Sequence, residues 1–266
     1  MSNASIMRSF LLALVQCVLV QAHDLTVDLH PQKLVVDVGE PVVVSATVAN
    51  NEPDAMTLIH HNAPTLYHGL SVIDLRFGAD KEHLMRWDDW LRPTRRTGAR
   101  LIQPQESITV DLVMLFSAKD GFFATEPGKY WIQGRAYSNG DILGPPVPIE
   151  IRELSPADKP MWEWLNAHKE EYGRLVQIPW EAKLSDEFLK GCDDACTKTP
   201  SVYTEYIALF LSRWYQEGPG KERENAKEQP ARYAEIAKAR ATSDKIRTEA
   251  EKVLARAQPE PPADQK

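Results

Sequence analysis

The stretch Glu126-Pro-Gly-Lys-Tyr-Trp-Ile-Gln-Gly-Arg-Ala-Tyr137 constrains the fold more than any other part of the chain. Pro-Gly is a turn signal, and the residues behind it alternate apolar and polar, as a strand with one buried face requires. Gly128 is followed two residues later by Tyr130, and Glu126 stands two before the glycine. That spacing suits a corner in which the Tyr hydroxyl bonds back to the backbone just upstream while the next inward residue, Ile132, enters the core. Gly39-Glu-Pro-Val-Val-Val-Ser-Ala-Thr-Val-Ala-Asn-Asn51 repeats the scheme of turn followed by strand, and is expected to pair with it.

From Asp24 to Leu154 the apolar runs are short, rich in β-branched residues and bounded by Gly, Pro, Asn or Asp. Candidate strands cover 25–29, 34–38, 42–48, 70–77, 84–90, 108–116, 130–137 and 147–151. So many short strands without intervening helical patterns predict an antiparallel sandwich. Val42, Val44, Ala46 and Val48 share one strand face, as do Ile108, Val110 and Leu112, and these faces are expected to build the core. The Tyr130 corner gives the sandwich its type, all-β and immunoglobulin-like.

At Ser155-Pro156 the apolar period changes from 2 to about 3.6. Trp162, Leu165, Tyr172 and Leu175 fit one helix face, and Leu184, Phe188 and Leu189 begin another around a Ser185 cap. Tyr203, Ile207, Phe210, Leu211 and Trp214 form the strongest helical stripe, ended by Gly218-Pro219-Gly220. Tyr233, Ile236 and Ala237, then Ile246, Ala250 and Val253, mark two more helices separated near Thr242-Ser243-Asp244. The chain therefore divides into a signal peptide over 1–22, a β-sandwich over 23–154, an all-α helical region over 155–257 and a Pro-rich, disordered tail over 258–266.

The signal peptide follows from Arg8, the apolar run 10–20 and the small residues around Val20-Gln21-Ala22, a run too short to span a bilayer. Export to the periplasm or the extracellular space is expected, with a mature start at His23. Cys17 offers a lipidation alternative, disfavoured by Gln16 before it. Cleavage removes Arg8 and no acidic residue, so the whole-chain charge of −7 becomes 30 basic against 38 acidic residues, or −8. That sign argues against a phosphate-backbone partner, and no nucleic-acid partner is expected. No transmembrane segment is expected after cleavage.

Thr199-Pro-Ser-Val-Tyr-Thr-Glu-Tyr-Ile-Ala-Leu-Phe-Leu-Ser-Arg-Trp-Tyr215 resembles a tetratricopeptide-type helix of exported bacterial proteins, in which a Pro-Ser-x-Tyr turn opens a helix of apolar and small residues. Val38-Gly-Glu-Pro41 and Pro127-Gly-Lys-Tyr130 resemble the bacterial immunoglobulin-like modules that precede such helical regions in cell-envelope proteins. No 34-residue recurrence follows, which argues against a multi-repeat solenoid. The resemblance implies an extracytoplasmic binding or scaffolding protein and no catalytic residue.

Three places carry candidate chemistry. Six of the seven histidines lie within the first 83 residues. A newly exposed N-terminal His23 with His60 or His61 has the donor types that suit copper or zinc, against the plainer reading of solvated loop histidines. The segment Leu84 to Arg100 holds Trp87, Trp90, Arg92, Arg95 and Arg96, the residue types that anchor interfaces, against the alternative of inward Trp and surface-paired Arg. Cys192 and Cys196 cannot close a tetrahedral metal site by themselves, and in an oxidising compartment a local disulfide between them is expected. No Gly-Lys-Ser/Thr phosphate loop, Gly-x-Ser-x-Gly elbow or His-Glu-x-x-His helix occurs. The leading expectation is a non-enzymatic binding or scaffolding protein of the bacterial envelope, without cofactor, whose partner is a protein or envelope-associated ligand; its oligomeric state stays open. A copper- or zinc-binding sandwich is the first alternative, and a hydrolase with a scattered site the second.

Overall fold

Alternation places β1 (Leu25–Pro31) at once: Leu25, Val27 and Leu29 are buried, while Thr26, Asp28 and His30 face outward. The computed structural model describes residues 25–60, 72–86, 98–117, 121–123, 125–224 and 226–257. The β-rich N-terminal part continues with β2 (Val35–Asp37), β3 (Val42–Asn50), β4 (Met56–His60), β5 (Ile73–Gly78), β6 (Met85–Arg86), β7 (Gly98–Ile102) and β8 (Ser107–Met114). It ends with β9 (Phe116–Ser117), β10 (Gly121–Phe122), β11 (Gly128–Tyr137), β12 (Asp141–Leu143) and β13 (Val147–Arg152). One sheet has the order β1-β3-β8 and another β2-β13-β11-β5-β6, with β12 also on β11; β4 pairs with β7 and β9 with β10.

β3 and β11 are not partners. β3 lies between β1 and β8, whereas β11 lies among β5, β12 and β13 in the other sheet. Alternation shows which side of a strand is buried but not which strand sits beside it. Their inward residues, Val44, Ala46 and Val48 of β3 with Ile132 and Ala136 of β11, join one core across the two sheets. Val44, Ala46 and Val48 stand opposite Leu112, Val110 and Ile108 within the first sheet, so those two apolar faces are neighbours on one surface.

Six helices follow: α1 (Lys159–Ala167), α2 (Lys169–Gln177), α3 (Asp186–Thr197), α4 (Thr204–Glu217), α5 (Gln229–Arg240) and α6 (Asp244–Ala257). The single face drawn through Trp162 and Leu175 is two helices, interrupted at His168, whose backbone departs from helical geometry. Ser185 caps α3 by accepting the Phe188 amide at 3.1 Å, and Ser243 does the same for Ile246 at 3.3 Å before α6. α4 is buried around its whole circumference from Thr204 to Trp214, as befits a central helix.

The helices cover part of the outer face of the β1-β3-β8 sheet. Val43, Val113 and Leu115, with Phe116 and Phe122, belong to the same apolar cluster as Leu165, Tyr172, Phe188 and Ile207. This explains why Val42, Val43 and Val44 are all buried in succession: that end of β3 is covered on both sides. The turn between β2 and β3 is a second contact. Gly39 has φ of +72°, and a Cβ there would overlap the Trp162 ring of α1, which stacks against Tyr203 at 6.3 Å and meets Phe122 edge-on at 4.9 Å.

Candidate functional site

Most side chains singled out for interface or metal chemistry lie outside the described residues: Trp87, Trp90, Arg92, Arg95 and Arg96, and likewise His23 and His61. His60 closes β4 opposite Gly98, and only its backbone is described. His30 is exposed on β1, and His83 is exposed in a 2.6 Å contact with Asp80, which raises the imidazole pKa through that hydrogen bond. Among the described residues no three His, Cys, Asp or Glu side chains are grouped to hold a metal ion.

Cys192 and Cys196 are free thiols, both buried on α3, in place of the expected disulfide. Positions i and i+4 on a helix put Cβ atoms about 5–6 Å apart, whereas a disulfide needs roughly 3.5–4.5 Å. Both face the helical core. Burial drives the Cys192 thiol well above its usual range and pushes Cys196 up to about 12, so neither has thiolate character.

The polar chemistry the structure does assemble lies along the seam between strands and helices. Lys33, in the β1–β2 connection, reaches two buried carboxylates: Glu40 from the β2–β3 turn and Glu205 from α4, the latter at 2.8 Å. Glu40 also accepts the Asp37 amide at 2.9 Å and the Tyr206 hydroxyl at 2.9 Å. Glu205 accepts the amide and the hydroxyl of Thr242 from the α5–α6 connection, each at 2.6 Å. Tyr203 donates to the Val38 carbonyl at 2.6 Å. Burial works against the charged Lys33, but the Glu40 carboxylate and the hydrogen bonds to Glu205 and Glu40 more than offset it, and its pKa stands above 10.5. Removing Lys33 would leave the two buried carboxylates without their cation, a loss of about 3–5 kcal/mol.

A second polar group crosses the seam further along. Asp111 of β8 accepts the Ser45 hydroxyl at 2.7 Å and pairs with Lys245 of α6 at 2.6 Å. Behind it the buried Arg213 of α4 and Glu249 of α6 meet at 2.6 Å, and Lys252 approaches Glu249 at 2.8 Å. Sequence reading assigned none of these residues. The available signal was chemical: Glu205 and Arg213 interrupt the strongest apolar helical stripe in the sequence, where a charge is costly unless paired.

An open cleft of about 330 Å³ adjoins the first group, where three connections meet: Asp158 before α1, Pro200 and Ser201 before α4, and Arg240 at the end of α5 with Thr242 just beyond it, with Glu205 in its lining. Asp158 accepts the Val202 amide at 3.1 Å and the Ser155 hydroxyl at 2.6 Å. Arg240 is exposed and has no carboxylate partner among the described residues. The cleft thus carries a guanidinium able to receive a carboxylate, together with carboxylate oxygens able to receive N–H donors.

Comparison with protein-family models gives no match, and comparison with curated proteins gives none. Solved structures align over about half of the chain: a β-glucosidase from Erythrobacter marinus (12% identity, TM-score 0.31, 48% of this chain and 15% of that one) and the sporulation control protein Spo0M from Bacillus subtilis (16%, 0.32, 54% and 55%). A CARDB domain from Pyrococcus furiosus in complex with di-metal ions aligns at 11% identity and TM-score 0.30, over 48% of this chain and 88% of that one. The chain spans well under two thirds of the length of the first two. At such scores the alignments carry no functional argument. No helix among the described residues is long and apolar enough to cross a membrane.

Proposed function

We propose that the chain is an exported, non-enzymatic binding or scaffolding protein of the bacterial cell envelope, an immunoglobulin-like sandwich carrying a tetratricopeptide-like helical region on one sheet. The observation that carries the reading is the seam. Half-buried Lys33 links the buried Glu40 of the β2–β3 turn to the buried Glu205 of α4, Tyr206 of α4 bonds Glu40, and the buried Asp111 of β8 pairs with Lys245 of α6, so these contacts fix two regions into one block. Two facts support the sandwich type. The orders β1-β3-β8 and β13-β11-β5 correspond to strands A-B-E and G-F-C of an immunoglobulin fold, and Tyr130 donates to the Glu126 carbonyl at 3.1 Å, as its corner requires.

In this reading the segment with Trp87, Trp90, Arg92, Arg95 and Arg96 presents the binding face, because Trp and Arg dominate interface energetics. The test places a photoreactive amino acid at position 90 and cross-links in intact cells. Discrete envelope adducts, lost when Arg95 and Arg96 become Ala, are expected from a protein whose processed N-terminus is His23. A protein retained in the cytosol, or cross-linked to nothing, overturns the proposal. One equivalent of copper bound by the purified protein and lost in His23→Ala would replace it with the metal-binding alternative.

A further inference from the structure

We infer that the cleft between the α3–α4 and α5–α6 connections binds a small zwitterion, an ammonium group and a carboxylate on one molecule, as in a free α-amino acid or a short peptide. The inference rests on the reading of the chain as a binding protein and gives that protein a second, small-molecule site. Three properties point there. The cleft's volume of about 330 Å³ lies at the small end of ligand-sized cavities. Its charges are of both signs and separately committed: Glu205 is already answered by Lys33 and Thr242, which leaves Asp158 and Arg240 as the charges able to meet a ligand. Arg240, without a carboxylate partner among the described residues, offers the planar fork that takes a ligand carboxylate through two N–H donors. Asp158, in the same lining, offers carboxylate oxygens as acceptors to an ammonium.

The site is also built rather than incidental. Glu205, 2% exposed, takes both the amide and the hydroxyl of Thr242, which fixes the α5–α6 connection against α4 and so sets the position of Arg240 two residues earlier. Asp158 is held by its bond from the Val202 amide, so the opposite wall is fixed as well.

The test is calorimetric titration of the full chain with glycine, leucine, glutamate, arginine and dialanine, alongside leucinamide and N-acetylleucine. At least one zwitterion is expected to bind saturably, while each blocked form of leucine binds at least tenfold more weakly than leucine if leucine is among the binders. Preference for a single amino acid or for dialanine identifies the source of the two charges. Arg240→Gln, at an exposed position, should keep the urea midpoint and weaken binding at least tenfold; Asp158→Asn should weaken it from the ammonium side. Absence of binding by every zwitterion, binding of leucinamide as tight as that of leucine, or undiminished binding by folded Arg240→Gln overturns the assignment. Cross-linked adducts at position 90 that persist in such a case leave the binding-protein reading standing and remove only the cleft.

Discussion

Gly39→Ala tests the docking of helices on strands at its narrowest point. Gly39 has φ of +72°, and a methyl group there would overlap the six-membered ring of Trp162. A non-glycine residue in the left-handed region costs about 1–2 kcal/mol. Forcing a methyl group into a packed contact costs about 1–3 kcal/mol more, for a total of roughly 2–5 kcal/mol. The two parts separate in a double-mutant cycle. Trp162→Ala removes the obstructing ring, and with it the stacking on Tyr203 and the edge contact with Phe122. In the Gly39→Ala/Trp162→Ala double variant the backbone cost remains and the overlap disappears, so the two losses should fall short of additivity by about 1–3 kcal/mol. Urea unfolding followed by far-ultraviolet circular dichroism measures all four proteins without relying on Trp162 fluorescence. Additivity within about 0.5 kcal/mol would refute the contact, and an unchanged midpoint for Gly39→Ala would refute both the turn and the docking.

Three further outcomes follow from the seam and the corner. Because the folded pKa of Lys33 is raised above 10.5 by Glu40 and Glu205, its contribution is fully present below that value and is lost as pH rises through the folded pKa; the stability gap between the parent and Lys33→Met should be constant to about pH 10 and shrink above it, and a gap that widens there would refute the pairing. Tyr172 is fully buried with no hydrogen-bond partner for its hydroxyl among the described residues; Tyr172→Phe should therefore be neutral or stabilising by up to about 1 kcal/mol, and a comparable loss in urea unfolding would show a bonded hydroxyl. Tyr130→Phe removes the 3.1 Å bond to the Glu126 carbonyl at a partly exposed site, so its cost should fall near 0.5–1 kcal/mol, and an unchanged urea midpoint would remove the corner's contribution.

What was legible in the sequence was whatever depends on neighbours along the chain. Alternation in 42–48 and 130–137 located β3 and β11 and their buried faces, and the Ser185 cap fixed where α3 begins. The corner was readable because Tyr130 and Glu126 are four residues apart. Pairing was not readable, since β3 with β1 and β3 with β11 satisfy the same alternation. The Cys192–Cys196 bridge was expected from the oxidising compartment, which says nothing of local geometry, whereas the chain there continues a helix that holds the two thiols one turn apart. The seam was the least accessible part. Glu40 sits in Gly39-Glu40-Pro41, which reads as an exposed turn, and its hydroxyl partner Tyr206 lies 166 residues away. Yet the outer face of β3 contained a local clue. Val43 breaks the alternation of Val42 and Val44 with an apolar residue, which a solvated sheet surface would not favour, and an apolar run through both faces implies a second covering layer. The change of period at Ser155-Pro156 therefore marks where the chain leaves the strands, while Val43, Val113 and Leu115 mark where the helices return to them.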